Sequence, residues 1–121
     1  MMGPWMESPL WRGSLSDPAV RAKVTSIVRD FPGAEYLATE RDHVARDWSV
    51  PDRLGEIEVP TLVIVGEDEM AGFREFAEEA AASIPNARLE VLAGLGHLHL
   101  LQAPDLVAQI ILDHLGERFT S

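Results

Sequence analysis

VPTLVIVG, residues 59–66, settles which class of fold this chain can adopt, and the acidic residues Glu67-Asp68-Glu69 follow it directly. A run of apolar, mostly β-branched residues between Pro and Gly is typical of a strand buried on both faces, as in a parallel sheet. In open α/β sheets, ligands and chemistry gather at the carboxyl ends of the strands. The acidic residues stand at that end, so a functional site is expected there.

A second strand is predicted at residues 88–92, RLEVL, where polar and apolar residues alternate as in a half-exposed strand. Between the two strands, apolar residues recur at helical spacing: Phe73, Phe76, Ala77, Ala80, Ala81 and Ile84. A connection that contains a helix is long enough for a crossover. The strands are therefore expected to be parallel neighbours in a right-handed βαβ unit.

Helices are also predicted on both sides of this unit. Asp17-Pro18 gives an N-cap followed by proline at the first helical position, and Pro32-Gly33 ends that helix. A second helix is predicted over residues 34–47. The last helix begins near Pro104-Asp105 and is expected to end at Gly116. Its predicted buried residues are Leu106, Val107, Ile110, Ile111 and Leu115.

Composition excludes several classes of function. The chain has 121 residues, 46% of them hydrophobic, a net charge of −10 and no cysteine. The negative charge argues against nucleic acid or an anionic membrane as a partner. No apolar run approaches the roughly 20 residues of a membrane span, and the first residues do not form a secretory signal. The expected location is therefore the cytoplasm.

One histidine is predicted to lie close to the acidic residues. His97 ends the glycine-rich loop AGLGH, residues 93–97, directly after the second strand. Neighbouring strands lie about 4.8 Å apart, so a carboxylate on one loop can reach an imidazole on the next. In that geometry an acid fixes the tautomer of a general base and stabilises its imidazolium. The candidate catalytic residues are His97, Glu69 and Asp68.

Other interpretations of these residues stay open. A carboxylate and a histidine on adjacent loops also occur as a plain surface pair. His97 and His99 form the pattern His-x-His, but no further ligand is evident, and neither a metal nor a cofactor is predicted. Trp5 and Trp11 lie in a segment that either walls a pocket or packs loosely on nearby surface, and its lack of periodicity favours the second interpretation.

The quoted residues together resemble a known family. IEVPTLVIVGE at residues 57–67, IPNAR at 84–88, Gly96-His97 and APD at 103–105 resemble the C-terminal third of α/β-hydrolase-fold enzymes, in particular esterase- and lactonase-like members with a helical cap. The resemblance implies a partial α/β-hydrolase fold: two cap-like helices in residues 1–53, then β-α-β-α with two parallel strands in residues 54–121. It also implies a small-molecule substrate of the ester type.

The resemblance assigns roles to individual residues. His97 corresponds to the base of the family's catalytic triad, and Glu69, three positions after Gly66, corresponds to the acid. The family usually has Asp there, so Asp68 is the alternative if the loop is shifted. The family commonly has Glu where Gln102 stands. The nucleophile motif Gly-x-Ser-x-Gly is absent from the sequence, and GSLSD at residues 13–17 lacks its second glycine.

Without a nucleophile, this chain resembles the cap remnant and C-terminal part of a longer hydrolase. One edge of the central strand, between Thr61 and Val65, would then expose unpaired backbone groups. A second copy of the chain, a complementary upstream segment or the N-terminal helices could cover it. The alternative to a hydrolase is a non-catalytic binding or dimerisation module, or an inactive fragment.

Overall fold

The computed structural model describes residues 6–31 and 51–119. The elements in chain order are helix α1 (Pro18–Asp30), strand β1 (Thr61–Gly66), helix α2 (Ala71–Ser83), strand β2 (Ala87–Leu92), the short helix α3 (His99–Gln102) and helix α4 (Pro104–Phe119). Two 3₁₀ turns, Ser14–Ser16 and Pro51–Glu56, precede α1 and β1. The helix predicted over residues 34–47 lies outside the described residues.

The two strands form the predicted parallel pair. They run in register from Thr61 opposite Ala87 to Gly66 opposite Leu92, with α2 as the crossover. The Thr61 N–H donates to the carbonyl of Asn86, just before β2, at 3.0 Å, and the N–H of Glu67, just after β1, donates to the Leu92 carbonyl at 2.9 Å. The acidic residues and the histidine loop therefore leave the same edge of the sheet.

One edge of β1 faces away from β2. Backbone N–H groups alternate in direction along a strand, and those of the odd-numbered residues, Thr61 to Glu67, point toward β2. The N–H groups of Leu62 and Ile64 therefore point to the other side. Within the described residues the sheet has two strands, so this side has no neighbouring strand.

The expectation that β1 is buried on both faces is wrong for this chain. Only Val65 and Gly66 are buried, and the four residues before them are half-buried. The apolar faces of the helices are likewise only partly covered. In α2, Ala77, Ala80 and the adjoining Ile84 are buried, whereas Phe73 and Phe76 are about half exposed. The sequence pattern correctly identifies the apolar faces, but the described residues do not cover these faces completely.

Helix α4 differs from its prediction in the same way. Val107 is buried, as expected, but Leu106, Ile111 and Leu115 are 50%, 38% and 44% exposed. The helix also continues through Gly116 to Phe119. A glycine costs about 1 kcal/mol in a helix interior and does not by itself end the helix. No described helix is both long enough and apolar enough to cross a membrane.

Helix α1 forms where it was predicted. The Asp17 side chain caps it by accepting a hydrogen bond from the Ala19 N–H at 2.9 Å, and Pro18 occupies its first turn. Its buried residues Val20 and Val24 form a cluster that also contacts partly buried residues just after the histidine loop. The other members and neighbours of this cluster are Met6, Leu15, Trp11, Val28, Leu98 and Leu101. The N-terminal segment therefore packs beside His97.

Gly66 is required by the close approach of the histidine loop to the end of β1. A Cβ atom at Gly66 would lie 2.2 Å from the Leu95 carbonyl oxygen and 2.6 Å from that of Gly96. Both atoms are backbone, so the loop would have to move. The φ angle of Gly66 is not positive, and space alone excludes a larger residue.

We predict that Gly66→Ala lowers the free energy of unfolding by at least about 2 kcal/mol, because overpacking against backbone displaces the whole loop. Urea denaturation measures this change. Gly72→Ala is the matched control, since a Cβ there meets no atom within 4 Å. The control should be neutral or slightly stabilising. Equal stability of the two variants would contradict the close approach.

Candidate active site

The acidic loop after β1 and the loop after β2 are joined by hydrogen bonds. The Asp68 N–H donates to the Leu95 carbonyl at 2.9 Å, and the Gly94 N–H donates to Oε2 of Glu67 at 3.2 Å. Gly94 has a φ of +69°, in the left-handed region that favours glycine. This turn directs the chain back across the end of β1 and brings His97 to the acidic residues.

His97 and Glu69 form the central contact of this site. Nδ1 of His97 lies 2.8 Å from Oε2 of Glu69, and the Glu69 side chain is only 5% exposed. The other carboxylate oxygen of Glu69 accepts a hydrogen bond from the Met70 N–H at 3.3 Å. A carboxylate at Nδ1 favours the tautomer that carries its proton there, which leaves Nε2 as a proton acceptor.

Asp68 does not share this contact. It is exposed, and the hydrogen bond that joins it to the histidine loop comes from its backbone N–H. Its Cβ faces the Gly13 position, at 3.5 Å from a Cβ built there. Of the two acidic candidates, Glu69 is therefore the one brought to the imidazole.

Two aromatic rings flank the imidazole of His97. The Trp11 ring approaches it nearly edge-on, with ring centroids 5.1 Å apart, and the Phe73 ring lies at 5.3 Å. Trp11 therefore lines the site, as in the interpretation that the lack of periodicity did not favour, whereas Trp5 lies outside the described residues. Phe73 follows the helical stripe of α2 but borders His97 while remaining 48% exposed.

A buried polar pair was missed by the sequence analysis. Ser14 is fully buried, and its hydroxyl donates to Oε1 of Gln102 at 2.8 Å. Both residues bond to backbone next to His97. No local signal separates Ser14 from an exposed serine in GSLSD, because its partners are more than 80 residues away along the chain. Gln102 stood out only as a departure from the family's glutamate.

His99 lies close enough to Glu69 and His97 for both to affect its pKa. Its Nδ1 is buried and has no hydrogen-bond partner within the described part of the chain. Burial lowers the pKa of His99 from its ordinary value of 6.5; the Glu69 carboxylate opposes this shift, and His97 adds to it. Residues 6–31 and 51–119 contain no group of three or more His, Asp or Glu that could hold a metal ion.

The lowered pKa of His99 makes stability depend on pH. The unfolded chain takes up a proton at this ring near pH 6.5, whereas the folded chain does so only at lower pH. The free energy of unfolding therefore falls as the pH drops below about 6.5 and levels off below the folded pKa. We predict that His99→Leu loses less stability than the parent chain between pH 7 and pH 5. Urea denaturation at each pH measures this, and equal losses would contradict the assignment.

The fold and this site define a class: an α/β protein with an acid–histidine pair at the carboxyl ends of parallel strands. The family model described as the alpha/beta hydrolase family matches residues 2–110. The chain therefore belongs to the α/β-hydrolase family, as the sequence resemblance implied.

Individual relatives agree with this family. RutD of Pseudomonas savastanoi, named as a carbamate hydrolase, is 33% identical over 86 residues, which cover 71% of this chain and 33% of RutD. The proline iminopeptidase of Thermoplasma volcanium is 37% identical over 71 residues, covering 58% of this chain and 23% of that enzyme. The mouse monoacylglycerol lipase ABHD6 is 32% identical over 69 residues, covering 57% of this chain and 20% of ABHD6.

A solved structure extends the similarity over nearly the whole chain. MenH from S. aureus superposes with a TM-score of 0.71 at 26% identity, covering 94% of this chain and 43% of MenH. The partial α/β-hydrolase fold is therefore confirmed. The chain spans a third or less of the length of the three relatives above, and less than half of MenH.

Proposed function

We propose that this chain supplies the acid–base part of the active site of a hydrolase that acts on small ester-like substrates, esters or lactones. His97 is the general base and Glu69 is the acid that orients it. The observation that carries the proposal is the 2.8 Å contact between Nδ1 of His97 and the nearly buried carboxylate of Glu69. Membership of the α/β-hydrolase family supports it.

The proposed chemistry follows from this contact. Nε2 of His97 takes the proton of a hydroxyl nucleophile as that oxygen attacks the substrate carbonyl. The imidazolium then gives the proton to the leaving alkoxide oxygen, and the ester bond breaks. Glu69 stabilises the imidazolium in between and keeps the ring from turning. A second cycle with water as the attacking group releases the acid product. This scheme uses no cofactor.

Glu69 is preferred to Asp68 as the acid for two reasons. A carboxylate that is only 5% exposed is weakly screened by water, so it interacts strongly with an imidazolium. Its position is also fixed from both oxygens, by His97 and by the Met70 N–H. Glutamate is one methylene longer than the aspartate that the family usually has, and in this loop that length reaches the ring.

The nucleophile would come from a segment that carries the strand–Gly-x-Ser-x-Gly–helix motif. Such a segment could join the sheet at the edge of β1 that has no neighbouring strand among the described residues, because its backbone groups there can pair with a further strand. The similarity to only 43% of MenH supports a complementary segment of this kind. By itself, the chain is expected to be a very poor catalyst.

We predict that fusing the chain to the part of S. aureus MenH that it does not cover in the superposition gives a protein that hydrolyses p-nitrophenyl acetate. In that fusion, His97→Gln should lower kcat by at least about ten-thousand-fold, and Glu69→Gln by about a thousand-fold or more. Asp68→Asn is the matched control, with the same chemical change one residue away. It should leave kcat close to that of the parent fusion.

Full activity of the His97→Gln fusion would rule out the proposed base. The unfused chain gives an independent measurement, since ¹⁵N chemical shifts report which imidazole nitrogen carries the proton. Glu69→Gln should abolish the preference of His97 for the Nδ1-protonated tautomer, and Asp68→Asn should not. If both variants behave alike, Glu69 is not the orienting acid.

A second candidate function is supported by the same open edge: the chain acts as a pairing module, with another copy bound to β1. Several large apolar side chains are also exposed, among them Phe76, Leu100 and Leu112. Exposed apolar surface of this kind is typical of an interaction site.

Amide hydrogen exchange tests this pairing. The Leu62 and Ile64 amides point to the open edge, so they should exchange fast in a monomer and slowly in a dimer. The Val63 and Val65 amides point to β2 and should be protected in both states, which makes them internal controls. Sedimentation measures the oligomeric state. A strict monomer in which Leu62 and Ile64 exchange fast would contradict self-pairing.

A further inference from the structure

The two backbone amides on either side of His97 are both held by side chains. The Gly96 N–H donates to Oε1 of Gln102 at 2.9 Å, and the Leu98 N–H donates to Oγ of Ser14 at 2.9 Å. The Ser14 hydroxyl in turn donates to the same Oε1 of Gln102 at 2.8 Å. Ser14 and Gln102 thus form a closed bracket around the residue proposed as the base. Neither was assigned a role by the sequence.

Each hydrogen bond of this bracket has its direction fixed. The Leu98 N–H can only donate, so the Ser14 oxygen accepts from it and directs its own proton to Gln102. The Gly96 N–H also needs an acceptor, so the carbonyl oxygen of Gln102 faces both donors. Oε1 therefore accepts twice. No other arrangement of these four groups satisfies both backbone amides.

Burial makes the bracket costly to break. Ser14 is 0% exposed and Gly96 is buried, so water cannot readily replace a lost partner. The approach is also tight, since a Cβ at Gly96 would lie 2.8 Å from Oγ of Ser14 and 3.2 Å from its backbone nitrogen. The glycine before His97 is therefore the residue that lets Ser14 reach the loop.

We infer that Ser14 and Gln102 are positioning residues for His97, which hold its backbone on both sides so that Nδ1 stays on Glu69. The catalytic meaning of this role rests on the proposed function, but the hold on the loop does not. Because Ser14 lies before α1 and Gln102 lies in α3, the bracket links the N-terminal segment to the site. The orientation of the base then depends on residues outside the acid–histidine pair.

Two pairs of variants of the full chain test the inference. Ser14→Ala removes the bond to Leu98, whereas Ser16→Ala is the matched control, because its hydroxyl donates only to the exposed Gly13 carbonyl in the same turn. Gln102→Leu removes both acceptor bonds of Oε1. Gln102→Glu puts a carboxylate oxygen in the place of the amide oxygen and should retain both bonds.

The expected result has two readouts. In Ser14→Ala the Leu98 amide should exchange about tenfold faster than in the parent chain, and in Gln102→Leu the Gly96 amide should do the same. The ¹⁵N shifts of His97 should then report a mixture of tautomers in both variants. Ser16→Ala and Gln102→Glu should match the parent chain in exchange and in tautomer. A merely structural role would lower the unfolding midpoint without changing the tautomer.

The inference is overturned if Ser14→Ala and Ser16→Ala give the same exchange rates and the same His97 tautomer. If Ser14→Ala does not fold, the Gln102→Leu and Gln102→Glu pair decides by the same readouts. Failure of the proposed function has a different signature: Glu69→Gln leaves the tautomer unchanged, while Ser14→Ala still speeds exchange at Leu98. The two failures are therefore distinguishable.

Discussion

The contact between His97 and Glu69 depends on a close crossing of backbone at the end of β1. The histidine loop passes over Gly66 so tightly that a single added carbon would overlap the Leu95 carbonyl oxygen. Parallel pairing of β1 with β2 places both loops at the same edge of the sheet. The passage of the histidine loop over Gly66 then sets the backbone positions of His97 and Glu69. The backbone crossing therefore brings the two residues together, and the length of the Glu69 side chain and the side-chain hydrogen bonds to the His97 loop complete the contact.

The sequence predicts the βαβ unit well because its signals are local. The apolar run before Gly66, the helical stripe ending at Ile84 and the alternating strand after it each fix an element, and their order fixes parallel pairing. The adjacency of His97 to the acidic loop follows from that pairing alone. The family's spacing also selected Glu69 over Asp68 as the first candidate, and the geometry places Glu69 at the ring.

Other features could not be predicted, for two different reasons. The buried bracket joins residues that lie far apart in the chain, and no local sequence pattern near Ser14 indicates that Gln102 is its partner. The prediction that the helical stripes are buried failed for a different reason, as the exposed Phe73 and Leu115 show. A helical stripe marks a face that needs to be covered, but it does not say which part of the protein covers it. Burial is a property of the assembled fold, whereas periodicity belongs to one element.

Orientation of His97 and burial of the apolar faces therefore depend on different contacts in this chain. The contacts that orient His97 come from the described residues: Glu69 holds Nδ1, Trp11 and Phe73 flank the ring, and Ser14 and Gln102 hold the amides beside it. Within the described residues, by contrast, large apolar side chains on α2 and α4 stay exposed, and one edge of β1 has no neighbouring strand. Under the proposed function, a nucleophile from another segment would meet an imidazole that these contacts have already oriented. The proposed acid–base chemistry should then depend on the bracket, and turnover on that segment.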